Sequence, residues 1–115
     1  MDLLFVYGTL RSEFENAYAR LLRAQADFVG KATVRGSIFH VDFYPAYRHQ
    51  PDGEVHGEVY RLHESAATLT ELDGYEGEGF ERVQAETSRG AAWIYRYRGA
   101  PPAEARIASG DFCAA

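Results

Sequence analysis

The amino-terminal segment constrains the fold of this chain more than any other. Residues 3–7 are five consecutive apolar or aromatic residues, and this run predicts a strand buried on both faces. Gly8 and Thr9 follow at once. Glycine adopts backbone angles closed to other residues and leaves the main chain uncovered, so the N–H groups of this turn can converge on an anion. Taken alone, the turn favours the simpler interpretation of a tight turn after a strand.

The composition excludes several classes of function. The chain has 115 residues, which predicts a single domain over 1–115. Its formal net charge is −5, its only lysine is Lys31 and no basic cluster occurs. A nucleic-acid partner, which requires a basic face, is therefore not expected. The single cysteine, Cys113, excludes a disulfide within the chain.

Neither a metal site nor a membrane segment is predicted. The four histidines are scattered and no cysteine pair is present, so no metal-ligand spacing occurs and no cofactor is expected. The amino terminus lacks the basic-then-apolar layout of a signal peptide, and no apolar run is long enough to span a bilayer. We therefore expect a cytoplasmic protein without a membrane partner.

The periodicity of apolar residues predicts an α+β protein with two helices and about six to seven strands. Ser65 is the predicted N-cap of the second helix. One predicted hairpin turns at residues 51–54, between Tyr47 and the following strand. A second turns at Arg89-Gly90. The predicted helices cover residues 13–24 and 66–74, and the predicted extended segments cover 2–7, 26–41, 55–62, 80–87 and 91–98.

The segment 71–79 contains four acidic residues and is the richest in potential chemistry. At about 100° per residue, Leu69, Leu72 and position 76 share one stripe of a helix. If the helix continues that far, Glu76 points into the protein. Burial raises the pKa of a carboxyl group towards the range of a general base.

Two structural interpretations of Glu76 compete with catalysis, and on periodicity alone they come first. In one, Glu76 caps the helix end or pairs with Arg82. In the other, Gly74 ends the helix and Glu76 turns to solvent.

Several motifs, in order along the chain, resemble those of the γ-glutamylcyclotransferase-like family. Each motif is weak alone, and the ordered set covers nearly the whole chain. The matching segments are Phe5-Val6-Tyr7-Gly8-Thr9-Leu10, Tyr44-Pro45-Ala46, Gly53-x-Val55-x-Gly57-Glu58-Val59-Tyr60, Leu72-Asp73-Gly74-Tyr75-Glu76-Gly77, Phe80-x-Arg82, Ala92-Trp93-Ile94-Tyr95 and Ser109-Gly110-Asp111-Phe112.

This resemblance implies a compact mixed β-barrel with two or more peripheral helices. It also implies that the turn at Tyr7, Gly8, Thr9 and Leu10 holds the α-amino-acid end of a substrate through backbone groups, and that Glu76 is the proton acceptor. Arg82 and Tyr95 are candidates to support the pocket. Arg82 either orients Glu76 or has a structural role.

The reaction expected from the resemblance is cyclotransfer on a small γ-glutamyl amine or peptide, without metal or cofactor. The substrate's own amine attacks its γ-carbonyl carbon, and 5-oxoproline and a free amine leave. One alternative is a non-catalytic module that binds a small molecule or a partner in the same pocket. Another is a different γ-glutamyl reaction. A monomer or weak homodimer is expected.

Overall fold

The computed structural model describes residues 2–114, and the first and last residues of the predicted domain, Met1 and Ala115, lie outside it. Seven strands and two α-helices form this part of the chain. No helix among these residues is long and apolar enough to cross a membrane. The elements are β1 (Leu3–Val6), α1 (Ala17–Gln25), β2 (Ala26–Arg35), β3 (Ser37–Val41), β4 (Tyr44–Arg48), β5 (Glu54–Leu62), α2 (Ser65–Glu76), β6 (Phe80–Thr87) and β7 (Gly90–Tyr97), followed by short 3-10 turns at Ala103–Ala105 and Phe112–Ala114.

The sheet closes on itself as a ring. Its strand order is β1-β5-β2-β6-β7-β4-β3, and β1 also pairs with β7. Each closing contact is a single residue pair. β1 meets β7 at Leu4↔Trp93, and β2 meets β6 at Val34↔Thr87. The α+β class is therefore confirmed, and the expected barrel is a ring-like sheet rather than a strict barrel.

One predicted hairpin is present and the other is wrong. β6 and β7 pair antiparallel from Phe80↔Tyr97 to Thr87↔Gly90, as predicted. The turn at residues 51–54, however, does not join two paired strands. β4 pairs with β3 across a two-residue turn, while β5 pairs with β1 and with almost the full length of β2. A ten-residue strand offers β5 more pairing than the five residues of β4 can.

Both helices are shifted from their predicted bounds. Asn16 caps α1, since its side chain accepts a hydrogen bond from the Ala19 amide, so the helix begins later than the predicted 13–24. α2 begins at Ser65 itself, and Glu64 occupies the N-cap position that was predicted for Ser65. The carboxyl end of α2 is set by Gly77, whose φ of 80° breaks the helical path. α2 therefore runs through Gly74 to Glu76.

β1 is buried on both faces, as its sequence predicts. Leu4 and Val6 belong to a core cluster that includes Leu22 of α1 and Leu72 of α2. Phe5 belongs to a second cluster, built from strand residues and residues of the carboxyl-terminal segment. Packing on both faces thus fixes the position of β1, and with it the start of the turn that follows.

Gly57 lets β5 approach β1 closely, and its replacement tests this packing. An added Cβ would meet the carbonyl oxygen of Val6 and lie 2.7 Å from Cζ of Phe5. We expect Gly57→Ala to lower the free energy of unfolding by about 1–3 kcal/mol. The matched control is Gly74→Ala in α2, where no atom lies within 4 Å of the added methyl. That change should raise stability by about 0.5–1 kcal/mol. Equal effects in urea unfolding would contradict this description.

Candidate active site

A cavity of about 360 Å³ opens where β1, α2, β6, β7 and the β3–β4 turn meet. It combines backbone from the turn after β1, one carboxylate from α2 and a largely aromatic wall. The residues that line it are Phe5, Val6, Tyr7, Gly8, Thr9, Leu10, Phe43, Tyr44, Pro45, Tyr75, Glu76, Phe80 and Tyr95. Tyr7, Gly8, Thr9, Leu10, Glu76 and Tyr95 were all predicted site residues, and the fold brings them together here.

The turn after β1 leaves backbone donors available. The Arg11 amide donates to the Gly8 carbonyl at 3.0 Å, which closes the turn. Within residues 2–114, the amides of Gly8, Thr9 and Leu10 donate to no acceptor of the protein. Gly8 itself has no positive φ. Glycine is needed there because a Cβ would lie 2.7 Å from Cγ of Pro45, so the role of Gly8 is close approach rather than unusual backbone angles.

Two side-chain contacts hold this turn against the helices. The Asn16 amide donates to the Thr9 carbonyl at 2.8 Å while its oxygen caps α1. The Thr9 hydroxyl lies 2.7 Å from the Tyr75 hydroxyl, and the Tyr75 ring stacks on Tyr18 with centroids 4.5 Å apart. The position of the turn therefore depends on α1 and α2 together.

Arg11 ties the same loop to the carboxyl-terminal segment. Its guanidinium is buried and donates to Asp111 at 2.8 Å and to Glu13 at 2.9 Å. Burial opposes its charge, but the hydrogen bonds from Arg11 to these carboxylates outweigh burial and raise the pKa of Arg11. The segment that carries Asp111 is itself anchored, because the His56 amide donates to the Gly110 carbonyl.

Glu76 lies at the last position of α2 and faces the cavity. Leu69 and Leu72, on the same stripe, are buried. No hydrogen bond or ion pair reaches the Glu76 carboxylate from residues 2–114, and burial alone raises its pKa to about 7. The interpretation in which Gly74 ends the helix and Glu76 turns to solvent is therefore wrong.

Arg82 binds Asp73 and not Glu76, so the predicted pair is wrong as well. Its guanidinium donates to the two Asp73 oxygens at 2.9 and 3.2 Å, and Tyr95 donates to Asp73 at 2.7 Å. Burial would raise the pKa of Asp73, but these hydrogen bonds outweigh it and lower that pKa. Two carboxylates three residues apart on α2 thus have opposite electrostatic environments.

Tyr7 lines the cavity and joins two strands through hydrogen bonds of its hydroxyl group. Its hydroxyl donates to the Tyr95 carbonyl at 2.7 Å and accepts from the Tyr47 amide at 3.2 Å. Burial, and then the charge of Glu76, raise the pKa of Tyr7, so its hydroxyl stays neutral at physiological pH. Tyr7 and Tyr95 therefore fix the walls around Glu76 without adding charge.

Sequence reasoning missed several residues that shape the site. The role of Asn16 could have been predicted, because asparagine is a preferred residue at the N-cap of a helix. Tyr75 and Asp73 lie in the same motif as Glu76, but their partners are distant in sequence. Pro45 lies in one of the matching motifs, Tyr44-Pro45-Ala46, whereas nothing in the sequence around Phe43 indicates a cavity. Among residues 2–114, no group of three or more His, Cys, Asp or Glu residues is placed to hold a metal ion.

Residues 4–114 match the protein family described as γ-glutamyl cyclotransferase, AIG2-like. The chain belongs to this family. It is 36% identical over 118 residues to the γ-glutamylcyclotransferase family protein YtfP of Escherichia coli K12, across 95% of this chain and 94% of YtfP. The resemblance predicted from the sequence is confirmed.

Solved structures of two relatives share the fold of this AIG2-like chain. The solution structure of E. coli YtfP superposes with a TM-score of 0.70 at 32% identity, over 96% of this chain and 95% of YtfP. The crystal structure of an uncharacterised protein from Pyrococcus horikoshii superposes with a TM-score of 0.79 at 26% identity, over 97% of this chain and 90% of that protein. The ring-like sheet is therefore shared by these proteins.

Replacing Glu76 tests its burial through stability alone. The folded protein holds a proton on Glu76 more tightly than the unfolded chain does, so the contribution of Glu76 to the free energy of unfolding falls as pH rises from 4.5 to about 7. Glu76→Gln removes this penalty. We expect the variant to be more stable than wild type by up to about 3 kcal/mol at pH 8, and the gain to vanish near pH 4.5.

Urea unfolding at several pH values measures this difference. Glu71→Gln, on the exposed face of α2, is the matched control and should show no such pH-dependent gain. A Glu76→Gln stability difference that stays constant between pH 5 and 8 would contradict the burial of an ionisable Glu76.

Proposed function

We propose that this protein is a γ-glutamyl cyclotransferase that converts a γ-glutamyl amide into 5-oxoproline and a free amine, with Glu76 as the general base. The observation that carries the proposal is the placement of one half-buried carboxylate in a cavity beside three backbone amides. Within residues 2–114, the carboxylate has no hydrogen-bond or ion-pair partner and the three amides donate to no acceptor. Membership of the AIG2-like family supports the same reaction class.

In the proposed complex, the turn after β1 binds the α-carboxylate of the substrate. The amides of Gly8, Thr9 and Leu10 supply donors, and backbone N–H groups in such a turn form a concave site for an anion. The Thr9 side chain is already engaged with Tyr75, so recognition is assigned to the backbone. This binding orients the α-amine towards Glu76.

The proposed reaction moves one proton and exchanges one C–N bond for another. The α-amine nitrogen attacks the γ-carbonyl carbon, and Glu76 accepts a proton from that nitrogen. As the tetrahedral intermediate collapses, the bond from the γ-carbon to the leaving nitrogen breaks and Glu76 returns the proton to it. A carboxyl group with a pKa of about 7 suits both steps, since neither protonation state is strongly disfavoured near neutral pH.

Positioning supplies much of the proposed rate enhancement. The nucleophile and the electrophile belong to the same molecule, and well-oriented intramolecular reactions reach effective molarities of about 10⁵ M or more. The protein therefore has to fold the substrate back on itself, which the turn after β1 and the aromatic walls of the cavity favour. A backbone amide of the same turn is suited to stabilise the developing oxyanion.

Glu76→Gln tests the assigned base. The change preserves the shape of the side chain and removes the proton acceptor, so we expect turnover to fall on the order of 10²–10⁴-fold. The measurement is 5-oxoproline release from γ-glutamyl amides, followed by mass spectrometry. Glu71→Gln serves as the control and should retain full activity.

Near-normal turnover by Glu76→Gln would exclude Glu76 as the base. A folded wild-type protein that binds γ-glutamyl amides but releases no 5-oxoproline would instead favour a non-catalytic binding module.

A further inference from the structure

We propose that the substrate's leaving group is an uncharged apolar or aromatic amine, and that Phe43 is a specificity-determining residue that binds it. This inference rests on the proposed function and extends it to the substrate class. It concerns the part of the cavity that the β3–β4 turn lines.

The charge distribution of the cavity disfavours a leaving group that carries a carboxylate. Among the lining residues of the described chain, 2–114, Glu76 is the only Asp, Glu, Lys, Arg or His. Arg82 is bound to Asp73, and Arg11 is bound to Glu13 and Asp111; neither lines the cavity. A carboxylate on the leaving group would find no cation among these lining residues, and any part of it that lost its water there would be destabilised.

A second ammonium group is disfavoured for a different reason. In the proposed reaction, Glu76 interacts with the α-amine of the substrate. The remaining lining side chains are apolar, hydroxyl-bearing or aromatic. A positively charged leaving group buried in this cavity would therefore lack a carboxylate of its own.

The tip of the β3–β4 hairpin gives the cavity an aromatic mouth. Phe43 lines the cavity and is nevertheless 96% exposed, so its ring is free to contact a ligand. The hairpin tip is fixed close to the substrate-binding turn, because Pro45 packs against Gly8. Tyr44 contacts Phe80 with ring centroids 5.7 Å apart, which joins the tip to the start of β6.

These contacts place the aromatic side chains of Phe43 and Tyr44 in the wall of the same cavity as the turn after β1. With the α-amino-acid end of the substrate at Gly8, Thr9 and Leu10, the leaving group extends towards the mouth. An aromatic or alkyl amine would bury surface against Phe43 and Tyr44, whereas a charged group would have to stay hydrated.

A panel of four γ-glutamyl amides separates charge from apolar contact. The phenethylamide and the γ-glutamyl derivative of phenylalanine differ only in a carboxylate. The phenethylamide and the ethylamide differ only in the phenyl ring, and the 4-aminobutylamide adds a positive charge. The readout is kcat/KM for 5-oxoproline release, measured with wild type, Phe43→Ala and Phe28→Ala.

We expect wild type to prefer the phenethylamide over the phenylalanine derivative by about 3- to 10-fold, because no lining residue pairs with the added carboxylate and its partial loss of water is unfavourable. We also expect it to prefer the phenethylamide over the ethylamide and the 4-aminobutylamide. Phe43→Ala should lower the phenethylamide-to-ethylamide ratio about 3- to 10-fold. Phe28 is also exposed but does not line the cavity, so Phe28→Ala should leave that ratio unchanged.

Three results would overturn the inference while leaving cyclotransfer in place. They are a kcat/KM for the phenylalanine derivative that equals or exceeds that for the phenethylamide, the same result for the 4-aminobutylamide, and an unchanged phenethylamide-to-ethylamide ratio in Phe43→Ala. If the folded wild-type protein releases no 5-oxoproline from any of the four compounds, the proposed function fails, and this inference fails with it.

Discussion

A carboxylate that is removed from water without a hydrogen-bond partner is costly in any fold. Glu76 is such a carboxylate: it is half-buried against the cavity, and no residue of the described range 2–114 pairs with it. The helix α2 continues past Gly74 because the residue that breaks it is Gly77. Leu69 and Leu72 anchor the same helical stripe in the core. The side chain at position 76 is therefore held towards the cavity by the packing of the helix. The raised pKa of Glu76 follows from that placement.

The surrounding network keeps other charges away from Glu76. Asp73 accepts hydrogen bonds from the Arg82 guanidinium and the Tyr95 hydroxyl. The charge of Arg82 is therefore neutralised by Asp73 and not by Glu76. Arg82 also lies over the Trp93 ring at 4.4 Å, which fixes its position further. A direct Arg82–Glu76 pair would have lowered the pKa of Glu76 and weakened it as a base. The separation of the two carboxylates on α2 is therefore what the proposed role of Glu76 requires.

The sequence was informative where the signal was local. The doubly buried β1 and the inward stripe of α2 follow from short apolar patterns, and the turn at Gly8 and the β6–β7 hairpin follow from glycines that interrupt such patterns. The partner of β5 could not be predicted, because a turn motif marks a change of direction and not the strand that pairs next. The binding of Arg82 to Asp73 rather than Glu76 depends on side-chain geometry across two elements. The position of Phe43 at the cavity mouth depends on how the β3–β4 hairpin attaches to the ring.

The direct test of this account is a titration of the Glu76 side chain in the free protein. Carbon-detected NMR of the glutamate carboxyl groups, with Glu76→Gln to assign the resonance, measures its midpoint without any substrate. We expect a midpoint of about 7, because the partial burial of Glu76 disfavours its charged form and no residue of the described range 2–114 pairs with it. A midpoint near 4.5, the ordinary value for glutamate, would show that Glu76 is solvated or paired and would contradict its assignment as the buried base.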